Sequence, residues 1–141
     1  MITIKDNIIK LDFHEETLHC DIYADGTKWT WQHNYQPYFK YNGKDVLFSE
    51  AKNVSHKRYD TGIGFGLVSH YENFEQVPEL CFETYIWIEL STGDVHFEWI
   101  PITEPACGMD EVVWPGAMDF MCDSEDWYTL LNWGQGLLIP N

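Results

Sequence analysis

The sequence predicts an all-β chain folded as an antiparallel β-sandwich with little helix. Three observations point there. Short runs alternate apolar and polar residues with a period of two, which places alternate side chains on opposite faces of a strand. Gly, Pro, Asn and Asp separate these runs at short intervals. No segment carries a long apolar stripe of period 3.6, so no amphipathic helix is expected. The 141 residues are enough for a single domain, 1–141, with a core of its own. Aromatics make up 16% of them, with seven Trp. Rings of that size serve sandwich cores first and sugar stacking second.

Taken in order, Asn7 to Phe13 and Glu16 to Ala24 read as strands around a His14-Glu15 turn. Ile9, Leu11 and Phe13 share one face, as do Leu18, Cys20 and Ile22. Asp25-Gly26 is a strong turn signal, and Thr27 to His33 follows as a third strand with Trp29 and Trp31 on one side. Asn34 to Gly43, with Pro37 and several Tyr, reads as a loop. Asp45 to Ala51 and Asn53 to Tyr59 are short strands. Gly62, Gly64 and Gly66 lie between strands and lack the continuation of a phosphate-binding loop, so a bulge or a close backbone approach is expected there. Leu67 to Phe74 alternates well, and Glu75 to Glu79 with Pro78 is a loop. After Pro101, Glu104 to Gly108 is irregular, Val112-Val113-Trp114 is a short strand ended by Pro115-Gly116, and Trp127 to Leu131 is one helical turn or a strand.

The organising stretch is Leu80 to Ile102, two long strands around Ser91-Thr92-Gly93-Asp94. With Thr92-Gly93 as a two-residue turn, Leu90 faces Val95, Ile88 faces Phe97 and Ile86 faces Trp99. That face, with Phe82 and Thr84, must be buried. The opposite face pairs Glu89 with His96, Trp87 with Glu98 and Tyr85 with Ile100, and adds Glu83 and Cys81. It is acidic and aromatic together. Tyr85, Trp87, Glu83, Glu89, His96 and Glu98 therefore form a candidate carbohydrate-binding face. A ring offers its face to the C–H side of a pyranose, while carboxylates accept hydrogen bonds from hydroxyls. The competing structural use is a second sheet packed over Tyr85 and Trp87.

Eight Lys and Arg stand against 23 Asp and Glu, a net charge of −15. Nucleic acid and anionic membrane surfaces need positive charge and are excluded as partners. No apolar run approaches the roughly 20 residues that span a bilayer. No charged stretch precedes an apolar one in the manner of a signal peptide, so a cytoplasmic setting is expected. Four cysteines, Cys20, Cys81, Cys107 and Cys122, show no metal or redox spacing and read as buried small hydrophobes. No metal and no cofactor is expected. Asp119, Asp123, Glu125 and Asp126 offer oxygens to Ca²⁺, but their spacing matches no EF-hand and they read as a solvated loop. His14-Glu15-Glu16-Thr17-Leu18 lacks the second His of a zinc protease motif, and GxSxG is absent. His19 and His33 stand on neighbouring strands without a further partner.

Val112 to Asn141 carries Trp114-Pro115, then an acidic stretch, then Gln135-Gly136-Leu137-Leu138-Ile139-Pro140. This segment resembles one in large multidomain glycoside hydrolases. In those, an N-terminal sandwich of the galactose-mutarotase-like (supersandwich) type leads into a catalytic (β/α)8 barrel. The resemblance implies a non-catalytic domain that supports a barrel lying beyond this sequence and that contacts glycan at its rim. Because the family's catalytic carboxylates sit in the barrel, none is assigned here. Two alternatives stay open: a stand-alone carbohydrate-binding module, and a small aldose-epimerase-like enzyme pairing His96 with Glu89 or Glu98. Trp127, Tyr128, Trp133, Leu137, Leu138 and Ile139 are a dense apolar run at the chain end. Exposing such side chains costs roughly 1.5–3 kcal/mol each. The run is therefore expected to dock on a following catalytic domain or on a second copy.

Overall fold

The computed structural model describes residues 1–32, 34–122, 128–131 and 137–140. In chain order the strands are β1 (Ile2–Lys5), β2 (Ile9–His14), β3 (His19–Ala24), β4 (Thr27–Trp31), β5 (Tyr38–Tyr41), β6 (Lys44–Leu47), β7 (Asn53–Asp60), β8 (Gly64–Glu72), β9 (Cys81–Glu89), β10 (Val95–Thr103), β11 (Glu111–Val113), β12 (Met118–Cys122), β13 (Tyr128–Leu131) and β14 (Leu137–Pro140). Among the described residues the helical content is one 3-10 turn, Phe48–Glu50. The first sheet has the order β1-β2-β3-β4-β12, the second β10-β9-β8-β7 and the third β11-β5-β6, while β13 and β14 pair with each other. Every pairing is antiparallel. The all-β sandwich is therefore the fold.

Turn chemistry explains the meanders. Asp25 and Gly26 both take positive φ, 45° and 72°, the pair of left-handed conformations that a two-residue hairpin turn requires. Asn42 and Gly43 do the same at 50° and 73° between β5 and β6. The segment expected to be a loop from Asn34 to Gly43 thus contains a strand, Tyr38–Tyr41, whose Phe39 is fully buried. Further corrections concern strand ends. β1 precedes the first expected strand and β6 stops at Leu47 before the 3-10 turn; of the two readings left open for Trp127 to Leu131, Tyr128–Leu131 takes the strand. Strand β12 was not anticipated.

One core joins the sheets. Leu11, Phe13 and Trp31 come from the first, Leu67, Phe82, Ile86 and Ile88 from the second, and Phe39 and Val46 from the third. The Trp114 ring, at the end of β11, lies 5.1 Å from Trp31, 6.0 Å from Phe48 and 6.2 Å from Phe97, centroid to centroid. It thereby touches the first sheet, the turn after the third, and the second. Tyr35 locks the same corner: its hydroxyl donates to the Val113 carbonyl at 2.8 Å, and its ring crosses Gly116 so closely that a Cβ there would lie 2.1 Å from it. Of the cysteines, Cys20 is buried as expected, and burial pushes its thiol up to about 12. Cys81 is half-buried and Cys107 exposed, which corrects the reading of all as core residues.

His56 on β7 faces inward. Its Nδ1 lies 2.8 Å from the Ser69 hydroxyl, and its ring meets Phe13 of the first sheet edge-on at 5.2 Å. Burial lowers its pKa below 6.5, against a partial opposing pull from Glu15. Folded His56 therefore resists a proton that the unfolded imidazole accepts, so its contribution to stability is full above pH 6.5 and declines below it. Between about pH 7 and pH 5 the urea midpoint of the native chain should fall more steeply than that of His56→Gln. Parallel slopes would show that His56 is not the group responsible.

Candidate functional site

The outer face of the second sheet gathers residues from all four of its strands. β9 pairs with β10 in a register that puts Trp87 opposite His96, Tyr85 opposite Glu98 and Glu83 opposite Ile100. This is two residues away from the expected register. The loop holds four residues, Leu90 to Gly93, because the Glu89 amide bonds the Asp94 carbonyl at 2.9 Å and Gly93, at φ +74°, returns its amide to the Glu89 carbonyl at 2.8 Å. A slip of two keeps every side chain on its face, whereas a slip of one would have exchanged the faces. Phe82, Thr84, Ile86 and Ile88 accordingly lie buried. Leu90, expected on that buried face, sits in the loop and is 58% exposed.

Across the outer face, β8 brings Gly66 opposite Trp87, Val68 opposite Tyr85, and His70 opposite Glu83. The six expected binding residues, Tyr85, Trp87, Glu83, Glu89, His96 and Glu98, do share this face. Their roles divide sharply. Trp87 is 8% exposed. His96 stacks on it at 4.1 Å and 10° between planes, and the Trp87 indole Nε1 donates to Glu98 at 2.7 Å. Trp87 therefore presents no open ring, and Glu98 is already engaged. A Cβ on Gly66 would fall 2.1 Å from the Ile86 carbonyl and 2.5 Å from Trp87 Cα, and one on Gly64 would fall 2.6 Å from the indole. The glycines are thus a trough for Trp87. Pairing of β8 with β9 runs through them without a register break, so the close approach is the correct reading and the bulge is not.

The rest of the face is half-exposed, including Glu83, Tyr85, Glu89, His96 and Glu98. Tyr85 donates to Glu83, and that bond, helped by partial burial, pushes its phenol up to about 12. Tyr59 of β7 stands edge-on to Tyr85 at 4.7 Å. The His96 imidazole lies 3.3 Å from Glu89, which also accepts from the Ser91 hydroxyl at 2.6 Å. Glu89, Asp94 and His96 bring their donor atoms within 4.8 Å of one another. Reading by periodicity missed the neighbours from β7 and β8: Tyr59, His70 and Glu72. Only the pairings of β7 with β8 and of β8 with β9 reveal them. The outer face of the first sheet is different in kind. There Lys10 pairs with Asp12 and Lys28 with Asp21, with both ammonium groups over the Tyr23 ring.

The other expected positions are placed as follows. His19 Nε2 donates to the Tyr35 carbonyl at 2.7 Å, and His33 lies outside the described residues. Asp119 takes a hydrogen bond from Gln32 at 3.2 Å, while Asp123, Glu125 and Asp126 lie outside the described residues. At the chain end, β13 and β14 set Tyr128 opposite Pro140, Leu130 opposite Leu138, Leu131 opposite Leu137 and Thr129 opposite Ile139. Trp127 and Trp133 lie outside the described residues.

No protein-family model and no curated protein matches the chain. Solved structures of alpha-N-acetylgalactosaminidase NagBb from Bifidobacterium bifidum do. The quadruple mutant aligns with a TM-score of 0.81 and 35% identity over 100% of this chain and 22% of that one. The Gal-NHAc-DNJ complex gives 0.82 and 34% over the same shares. The GalNAc complex gives 0.82 and 36% over 99% and 22%. This chain is similar throughout to one domain-sized part of a glycoside hydrolase. The likeness runs through the C-terminal stretch that first suggested it, and the chain spans about a fifth of the matched enzyme's length.

The glycine trough makes a direct prediction. Gly66→Ala should destabilise the chain by about 1–3 kcal/mol, since the atoms it strikes are main chain and cannot swing aside. It should also alter Trp87 emission. An unchanged melting temperature would mean that β8 and β9 are not so closely apposed.

Proposed function

We propose that the chain is a non-catalytic β-sandwich domain of a carbohydrate-active enzyme, a glycoside hydrolase, and that it buttresses a following catalytic barrel. The supporting observation is the full-length similarity, at 34–36% identity, to little more than a fifth of a larger enzyme. The outer face of the second sheet, with the half-exposed rings of His96 and Tyr85 beside Glu83 and Glu89, is the surface through which the domain would contact a glycan. The name of the similar enzyme suggests α-linked N-acetylgalactosamine as the first sugar to test on a protein carrying this domain. A cytoplasmic setting remains part of the proposal; among the described residues no helix is long and apolar enough to cross a membrane.

The isolated chain should not hydrolyse nitrophenyl glycosides, N-acetylgalactosaminide included, above the rate of a Glu98→Gln control. Turnover above that control would overturn the non-catalytic reading. The His96–Glu89 pair at 3.3 Å keeps an epimerase reading testable. Polarimetry on freshly dissolved galactose should show no acceleration of mutarotation by the chain.

The chain-end hairpin is the proposed contact with the barrel or with a second copy, through Trp127, Tyr128, Trp133, Leu137, Leu138 and Ile139. Leu137→Asp and Leu138→Asp should lower self-association of the isolated chain in light scattering. Hydrogen exchange of β9 and β10 should stay unchanged. A native chain that is monomeric at every concentration, with the hairpin as protected as β9, would refute this docking role.

A further inference from the structure

We propose that His70, Glu72 and Cys81 form a binding site for a divalent transition cation, Zn²⁺ by preference, beside the loop that joins β8 to β9. Strand geometry assembles the site. His70 and Glu72 are two apart on β8 and so share the outer face, and Cys81 stands directly opposite Glu72 on β9. The three donor atoms lie within 4.8 Å of one another. His70 Nε2 is 3.4 Å from Cys81 Sγ and 3.6 Å from Glu72 Oε2. Bond lengths of about 2.0–2.3 Å to a tetrahedral zinc imply donor–donor edges of roughly 3.4–3.6 Å. Two of the three donor–donor edges, those from His70 to Cys81 and to Glu72, therefore stand at coordination spacing already.

Hydrogen bonding by a neutral His70 imidazole does not satisfy this arrangement. His70 Nδ1 lies 3.3 Å from Glu83 Oε1, and donation to that carboxylate leaves a bare lone pair on Nε2. The Cys81 thiol has one proton to offer to it. The Glu72 carboxylate, aimed at the same lone pair, then has nothing to accept from His70. A cation on the Nε2 side satisfies sulfur, nitrogen and oxygen together. The surrounding contacts hold the donors in place as metal sites require. Glu83 fixes the His70 ring and is itself held by the Tyr85 hydroxyl. The Asn53 side-chain amide, at 2.9 Å, takes Glu72 Oε1 and leaves Oε2 for the site. Thiolate and imidazole select a borderline-soft ion over Ca²⁺ or Mg²⁺. Three protein donors leave a fourth position for water or another oxygen ligand.

Cobalt(II) reports the test, because a cysteine ligand gives a sulfur-to-cobalt charge-transfer band. It would be titrated into the 141-residue chain carrying Cys107→Ser and Cys122→Ser, so that Cys81 is the accessible thiol. One equivalent of Co²⁺ should produce the band, and Zn²⁺ should displace it. Zn²⁺ should also raise the melting temperature. Cys81→Ser should abolish the band with circular dichroism unchanged. Asn53→Ala keeps all three ligands and should weaken Zn²⁺ binding by about 10–100-fold. No band in the parent chain, or a band that survives Cys81→Ser, would overturn the proposal. So would Zn²⁺ affinity that is the same in Asn53→Ala.

Discussion

The contact on which the architecture turns is the Trp114 ring. The first sheet, the second sheet and the turn after the third converge on it, through Trp31, Phe97 and Phe48. A bundle of short strands has little to fix the relative placement of its sheets except side chains that reach more than one of them. A large, rigid ring does this at low cost in conformational freedom. Trp114 is also the first residue of the Trp-Pro motif that carried the resemblance to glycoside hydrolases. The motif thus has a physical meaning that does not depend on any reaction: it pins the sandwich at the corner where the chain turns from β11 toward β12.

Much of the fold was legible because parity is robust. The central hairpin was placed in the wrong register, yet apart from Leu90 both its faces were read correctly, since the slip was an even number of residues. Distances along the sheet are a different matter. They follow from loop length, and Ser91-Thr92-Gly93 is compatible with more than one turn. The loop assigned to Asn34–Gly43 failed for a simpler reason. Asn42-Gly43 is as clear a hairpin signal as Asp25-Gly26, but Pro37 and the surrounding tyrosines break the alternation before it. Phe39 then went unrecognised as core, although it is fully buried.

The candidate face was legible as a list and not as a set of roles. Trp87 alternates with acids exactly as a sugar platform would, and nothing local reveals that two glycines on another strand receive it while His96 closes its other side. In the same way, His70 and Cys81 are separated by a loop, and their meeting depends on where that loop lets β9 begin. Alternation says which face a residue occupies. Only register across neighbouring strands says what it touches, and chemistry lies in the second kind of information.

The order of strands in the sheets has a kinetic consequence. β7 to β10 pair in the sequence in which they are made, as do β1 to β4, and each can form from a chain that is still incomplete. β11 and β12 instead return to β5 and β4, across half of the chain or more. Closing such long loops carries the greater entropic cost and is slow relative to local hairpins. During synthesis, the edges of β4 and β5 therefore stay bare until the segment around Trp114 has left the ribosome. In that interval they are open to pairing with another nascent chain.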